Sequence, residues 1–312
     1  MKIFFATDIH GSDICWIKFL NAAKFYEADT LVLGGDMTGK AIIPIVHQGG
    51  KNYHMTLLEQ EHVITDDEQM KEMIKRVRSR GYYPYMTTPD EIAELEKDPQ
   101  RVDKIFLQEV LKVVQQWMDL ADKKLEGTDL KVYCSPGNDD MDEVDEVIRA
   151  SKRVLLVEGK ITALNADHEM IASGWSNITP WNTHREEEEY QLKYRYEQMA
   201  SKLKNPHNAI FNIHVPPYKS GLDEAPELDS ELRPVLAGNS MIPVGSKALR
   251  ETIQKYQPLL SLHGHIHEGR GTGYIGRTLC INPGSMYEQG ALLGALVNVG
   301  KDKIENYVLT SG

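Results

Sequence analysis

Five short stretches of this sequence carry side chains able to hold metal ions. Asp8 and His10 stand two apart. In an extended segment that spacing turns both side chains to one side, and a carboxylate beside an imidazole can grip one divalent cation. Asp36 follows Gly34 and Gly35. Small residues let the backbone turn tightly, and the two oxygens of one carboxylate can bridge two ions. Gly137-Asn138-Asp139 offers a neutral amide where turn chemistry is equally at home. His214 precedes Val215-Pro216-Pro217, whose prolines fix the chain behind it. His265 and His267 are again two apart, after Gly264, and neutral imidazoles bind transition metals well. Each stretch alone is common; their order and spacing together are not.

The elements that must position these residues follow from the apolar runs in front of them. Ile3 to Ala6 stops before Asp8, and Leu31 to Leu33 before Asp36. Val132 to Cys134 stops before Asn138, Ala209 to Ile213 at His214, and Leu259 to Leu262 at His263. Runs of this length bounded by Gly and Pro predict buried strands. Helical spacing lies between them at Asp13 to Ala28, Met141 to Lys152 and Lys247 to Tyr256. Strands alternating with helices predict an α/β sheet, in which ligands bind beyond the carboxyl ends of the strands. Further strands are expected at Arg270 to Gly276, Thr278 to Asn282, Leu292 to Val299 and Lys303 to Leu309.

Two segments break the rhythm. Residues 40–127 are too long for a simple crossover and carry helical patterns near Asp66 to Arg80, Pro89 to Lys97 and Val102 to Leu125. They read as an inserted helical lid or cap within one domain spanning residues 1–312. His47, His54, His62, Lys51, Tyr53 and the stretch Arg76 to Arg80 belong to it, as lid surface or as groups reaching over the site. The second segment, Thr179 to Pro206, predicts a charged helix from Arg185 to Lys204.

The ordered set resembles the calcineurin-like metallophosphoesterases, in their phosphodiesterase-like branch. The resemblance rests on ATDIHG (6–11), LGGDMTG (33–39), SPGNDD (135–140), NIHVPPY (212–218), GHIHEGRG (264–271) and INPGS (281–285). It spans nearly the whole chain apart from the insertion and the 180–206 helix. It implies a four-layer αββα sandwich. It also implies two divalent ions: Asp8, His10 and His267 would hold one, Asn138, His214 and His265 the other, and Asp36 would bridge them. Manganese comes first; iron, zinc, cobalt and nickel also suit mixed oxygen and nitrogen donors. A hydroxide between the ions would attack phosphorus in line with the leaving oxygen. Many members carry His directly after the Asn; this chain has Asp139. That residue is a candidate catalytic group or a support for a ligand, and the chain would either prefer substrates with a better leaving group or take the proton donor from elsewhere. Asn138 and Arg270 are candidate substrate contacts. His263, two before His265, reads as a support for the ligands or as the strand's end.

Composition bounds the rest. The chain has 312 residues, 41% of them apolar, and a formal net charge of -11. Such a surface disfavours general binding to nucleic acid or anionic lipid, so a small phosphate ester is the expected partner. The three cysteines, Cys15, Cys134 and Cys280, form no CxxC pair, which argues against a disulfide framework and for small buried side chains. No apolar run reaches a membrane span, and a cytoplasmic protein is expected. Hydrolysis of a phosphodiester is favoured over a monoester. The alternatives are a scaffold that keeps the fold without catalysis, against which the full set of seven ligands argues, and a nuclease.

Overall fold

In this computed structural model, which describes residues 1–229, 231–233, 235 and 240–312, two six-stranded sheets pack face to face with helices outside both. The first sheet runs in the order Ile304–Ser311, Leu293–Val299, Lys2–Ala6, Thr30–Leu33, Lys131–Cys134, Val154–Leu156. The second runs Gly271–Ile275, Thr278–Asn282, Leu260–Leu262, Ile210–Ile213, Glu169–Ser173, Ile161–Ala163. In each sheet four neighbouring strands are parallel. The remaining strands pair antiparallel at the margins.

Alternation along the strands explains why they read as unbroken apolar runs. Ile3 and Phe5 point between the sheets, against Leu260, Leu262, Leu279 and Ile281. Phe4 and Ala6 point the other way, under Trp16, Phe19, Leu20 and Trp117 of the covering helices. On the far side Ile171, Phe211 and Ile213 meet Leu192, Tyr196, Leu249 and Ile253. The central parallel strands are buried on both faces, so they need few polar residues on either side, whereas the outer strands are partly exposed. This is the αββα sandwich that the resemblance implies.

The first covering helix, Asp13–Tyr26, begins at Ser12, whose hydroxyl accepts from the Cys15 amide. Asp13 sits in its first turn and Lys24 in its last, each suited to the helix dipole. It ends where Glu27 turns left-handed and donates its N–H to the Ala23 carbonyl. Helix Lys247–Tyr256 is capped in the same way by Ser246. The charged helix begins later than its pattern suggested, at Glu189, and ends at Ala200. Arg185 is buried ahead of it, bonded to the Asp140 and Met141 carbonyls and paired with Asp145. All three cysteines are buried and free. No helix among the described residues is long and apolar enough to cross a membrane.

The expectation of a helical cap over residues 40–127 is corrected on two points. The helices Asp67–Ser79, Pro89–Leu95 and Pro99–Lys124 are present, announced by side-chain caps at Asp66, Thr88 and Asp98 and by proline in the first turn of the latter two. A four-stranded sheet accompanies them: Gln60–Ile64, Asn52–Leu57, Ile42–Gly49, Tyr83–Thr87. It shares its own small core of Ile45, Met55, Leu57 and Ile64 with Val77 of the first helix. The longest helix, moreover, is a layer of the sandwich: Trp117 stacks on Trp16 at 5.2 Å, and Val110, Val113 and Ala121 complete that core.

The small sheet escaped the sequence because one of its hairpin turns carries no turn residue. Leu57 pairs with Gln60, so Leu58 and Glu59 form a two-residue loop, and both have positive φ, 50° and 62°. Such turns normally take Asn-Gly. Each non-glycine residue held there costs about 1–2 kcal/mol, and Leu58 is largely exposed, with little packing to offset the strain. Replacing the pair together, Leu58→Asn with Glu59→Gly, is expected to raise the unfolding free energy by roughly 1–2 kcal/mol. Urea denaturation checks this, and an unchanged or lower midpoint would refute the reading of the turn.

Candidate metal centre

The parallel strands of both sheets deliver their carboxyl ends to one place. Loops after Lys2–Ala6, Thr30–Leu33 and Lys131–Cys134 bring Asp8, Asp36 and Asn138 from the first sheet. Loops after Ile210–Ile213 and Leu260–Leu262 bring His214, His265 and His267 from the second. Pairing continues past the strands: the amides of Asp8, His10 and Gly11 donate to the carbonyls of Gly35, Asp36 and Met37, and Gly264 donates to His214. These bonds lock loops from different strands together.

The same-side placement of Asp8 and His10 does not come from extended backbone, as their spacing suggested. Asp8, His10, Asp36 and His265 all lie in the left-handed region, with φ of 52°, 37°, 47° and 67°. Non-glycine residues there carry strain of about 1–3 kcal/mol each. The surrounding hydrogen bonds hold them, and the sharp turns aim their side chains inward.

The seven side chains come together. Asp8, His10 and His267 present donor atoms within 4.8 Å of one another, and so do Asp36, His214 and His265. His10 Nε2 faces His267 Nε2 at 3.0 Å and Asp36 Oδ2 at 3.7 Å. His267 Nε2 is 3.5 Å from Asp8 Oδ1, and His214 Nε2 is 3.3 Å from Asp36 Oδ2. Asn138 Oδ1 lies 2.7 Å from His265 Nδ1. Close approach depends on two glycines. A Cβ at Gly137 would lie 2.1 Å from an Asp36 carboxylate oxygen, and one at Gly264 would lie 2.3 Å from an Asp8 oxygen. The glycines before Asn138 and His265 leave room for carboxylates from other strands.

Supporting bonds orient the donors. His214 Nδ1 bonds the Gly34 carbonyl at 2.9 Å, so Nδ1 carries the proton and Nε2 faces the carboxylates. His10 Nδ1 likewise faces the Thr38 carbonyl at 3.3 Å. Asn138 Nδ2 donates to Thr183 Oγ1 at 2.8 Å, which directs its oxygen to the cluster. Four residues unremarked in the sequence hold the loops. Asp140, fully buried, accepts from the Met37, Thr38 and Gly137 amides and from the Thr38 hydroxyl. Asn282 Nδ2 donates to the Gly264 and Ile266 carbonyls, and Ser285 Oγ to the Asp8 carbonyl. Tyr287 packs its ring 4.7 Å from that of His10. Asn282 and Ser285 lie in INPGS and Asp140 in SPGNDD, so the motifs contained the signal.

Asp139 stands beside the cluster, an oxygen of it within 4.8 Å of donor atoms of His10 and Asp36, and it pairs with Lys40, whose Nζ lies 2.9 Å from its Oδ2. Lys40 was not marked by the sequence: it follows Gly39 and reads as surface. Burial would raise the Asp139 carboxyl, but Lys40 and His10 outweigh it and hold it below the usual range. Arg270 donates from Nη1 to the Pro283 and Thr310 carbonyls and makes no hydrogen bond to the cluster among the described residues. His263 is fully buried and bonded to the Ile213 carbonyl; burial pushes its pKa down to about 4. Of the insertion, the end of helix Asp67–Ser79 reaches the site loops. Ser12 donates to the Ser79 carbonyl, Arg78 pairs with Asp13, and Arg80 donates to the Glu288 carbonyl. His47 bonds the Gly50 carbonyl and Lys51 pairs with Asp67, both within the insertion.

The cluster's own charges pull its pKa values apart. Burial works to raise the Asp8 carboxyl, yet His267, His214 and His10 hold it well below the usual range. Burial raises Asp36 to about 6. His214 would be lowered by burial, but the Asp36 and Asp8 carboxylates lift it to about 10. Burial lowers His265 to about 4 and lowers His10 as well, the latter helped by Lys40. Divalent cations fit this donor set. His214 Nε2 is buried without a hydrogen-bond partner, two imidazole nitrogens face each other, and the donors mix carboxylate, amide and imidazole as transition metals accept.

No protein-family model matches the sequence. A stretch of 175 residues, 55% of this chain and 70% of its relative, is 29% identical to an uncharacterized protein of Methanocaldococcus jannaschii. The crystal structure of TT1561 from Thermus thermophilus is similar over 100% of this chain and 97% of its own, with a TM-score of 0.56 and 14% identity. Another crystal structure covers 99% of this chain and 98% of its own, with the same TM-score of 0.56 and 15% identity. At these identities the shared property is the fold.

A pKa of about 10 for His214 means that the residue carries a proton at neutral pH, on the nitrogen that faces Asp36. A cation binding there must displace that proton, so binding releases protons and weakens as pH falls. Calorimetry with Mn2+ in buffers of different ionisation enthalpy is expected to show at least about one proton released per chain at neutral pH. An affinity independent of pH between about 6 and 9 would contradict this.

Proposed function

We propose that this chain, which has the metallophosphoesterase fold, is a calcineurin-like phosphoesterase. It would hydrolyse phosphate esters, diesters in preference to monoesters, with the aid of two divalent ions. One observation carries the reading. Seven oxygen and nitrogen donors from five parallel strand ends converge, six of them in two adjoining groups, with Asn138 against His265 and the Asp36 carboxylate facing both His10 and His214. Asp8, His10 and His267 would hold one ion, and Asn138, His214 and His265 the other, with Asp36 shared. Bound there, the ions, manganese first among the candidates, supply positive charge to phosphoryl oxygens and lower the pKa of a water to near neutrality.

The chain's own residues do the rest. Burial of Asp8, His10 and His214 keeps bulk water from competing and strengthens every charge interaction inside the site. The left-handed turns and the bonds to Gly34, Thr38 and Thr183 set the donors in place before any ligand arrives, so little reorganisation accompanies binding. No side chain is needed as a nucleophile. A carboxylate next to a phosphoryl group would repel it, but Asp139 is paired with Lys40, which removes most of that penalty. The position after Asn138 thus offers no imidazole proton donor. This favours esters whose leaving group departs without one, and it supports the diester preference together with the HVPPY and NPGS blocks. The partner expected is a small soluble phosphate ester.

Turnover of bis(4-nitrophenyl) phosphate in added Mn2+ is the direct check, and 4-nitrophenyl phosphate is expected to be the poorer substrate. His214→Gln is expected to lower kcat by about 100-fold or more, on the scale of losing one preorganised group, with the fold retained by circular dichroism. Absence of turnover with manganese, iron, cobalt, nickel and zinc alike would favour a non-catalytic scaffold.

A further inference from the structure

We infer that Lys40 is a substrate-contacting residue: its ammonium, held at the rim of the site by Asp139, engages the phosphoryl oxygens of the bound ester. The inference rests on the phosphoesterase reading and assigns a role to a residue outside the ligand set.

Placement carries the argument first. Lys40 closes the loop that begins at Asp36, and its Nζ lies 2.9 Å from Asp139 Oδ2. That same oxygen is 3.9 Å from His10 Nδ1, and the Asp139 amide donates to Asp36 Oδ1 at 3.0 Å. Asp139 also forms a metal-capable group of its own with His10 and Asp36, so the ammonium is one carboxylate away from the donor cluster. The approach is set by Gly39, whose N–H donates to the buried Tyr83 hydroxyl at 2.7 Å. That bond ties the base of the lysine to the insertion.

Exposure carries it next. The Lys40 side chain is 51% exposed and that of Asp139 18%, while Asp8, His10, Asp36 and His214 are at most 3% exposed. The cluster therefore grades from buried donors to an open cation at its edge, where an incoming anion meets it. An ion pair whose ammonium is half-exposed is held less firmly than a fully buried one, so the ammonium can turn from Asp139 to a phosphoryl oxygen.

Charge completes it. Among the described residues Lys40 is the lysine or arginine that forms an ion pair with a carboxylate of the site; Arg270 is engaged by backbone carbonyls. Hydrogen bonds from a cation to phosphate oxygens are among the stronger ones proteins make. Lys40 and Asp139 also oppose each other, so their removal must act in opposite directions on anion binding. A purely structural ion pair would lose stability from either side and show no such sign reversal.

The test is calorimetric titration of the Mn2+-loaded protein with inorganic phosphate, alongside kcat and KM for bis(4-nitrophenyl) phosphate. Lys40→Gln is expected to weaken phosphate binding about tenfold or more and to lower kcat/KM in step, with the thermal midpoint little changed. Lys40→Arg should recover most of the binding, and Asp139→Asn, which frees the ammonium, should bind phosphate as tightly as the wild type or more tightly. If the wild type hydrolyses the diester but Lys40→Gln leaves phosphate affinity and kcat/KM unaltered, the role of Lys40 is overturned and the phosphoesterase reading stands. Should Lys40→Gln fail to fold, weaker phosphate binding in Asp139→Asn would overturn it equally. A wild type that neither binds phosphate nor turns over ester would end both.

Discussion

Carboxylates and imidazoles packed within 4 Å of one another, most of them out of reach of water, are the constraint on which this structure turns. Buried charge is expensive unless it is paired. Here Asp8, His10, Asp36 and His214 are almost wholly buried and satisfy one another only in part, His214 Nε2 facing the Asp36 carboxylate without a well-formed hydrogen bond. Much of the architecture serves to hold that arrangement. Two sheets present their parallel carboxyl ends to the same point, four left-handed residues turn donors inward, and Asp140, Asn282 and Ser285 bind loops that would otherwise spring apart. Cations placed among the donors would compensate the charges that the fold has concentrated.

The rim of the site follows a different logic. Asp139 stands where a neutral or cationic group would better suit a phosphate, and the fold answers with Lys40 from the neighbouring loop. The insertion reaches the same place. The Gly39 amide is bonded to Tyr83, and a Cβ at Gly81 would lie 2.0 Å from the His10 carbonyl, so residues 40–127 abut the loops that carry the ligands. The insertion and the donor-bearing loops are thereby mechanically linked in this protein.

How much of this was legible in the sequence depends on whether the signal was local. The central strands of the sandwich were readable because both their faces are buried and their runs are mostly apolar. The helices were readable from the helical spacing of their apolar residues, and serine, aspartate or threonine caps precede most of them. The small sheet was not, because Leu58 and Glu59 make a tight turn without the residues that usually announce one. The longest helix of the insertion was visible as a helix, but its place in the sandwich lies in the Trp16–Trp117 contact between distant segments. At the site, the donors stood out by type and spacing. The left-handed turns that aim Asp8 and His10, and the pairing of Lys40 with Asp139 across 99 positions of sequence, are tertiary facts with no local mark.

The account stands on the donors forming two adjoining cation sites. Crystals of the protein grown with Mn2+ and measured at the manganese absorption edge test this most directly. Two anomalous peaks are predicted, one among Asp8, His10 and His267 and one among Asn138, His214 and His265, with the Asp36 carboxylate between them. A single peak, or peaks only outside these residues, would contradict it.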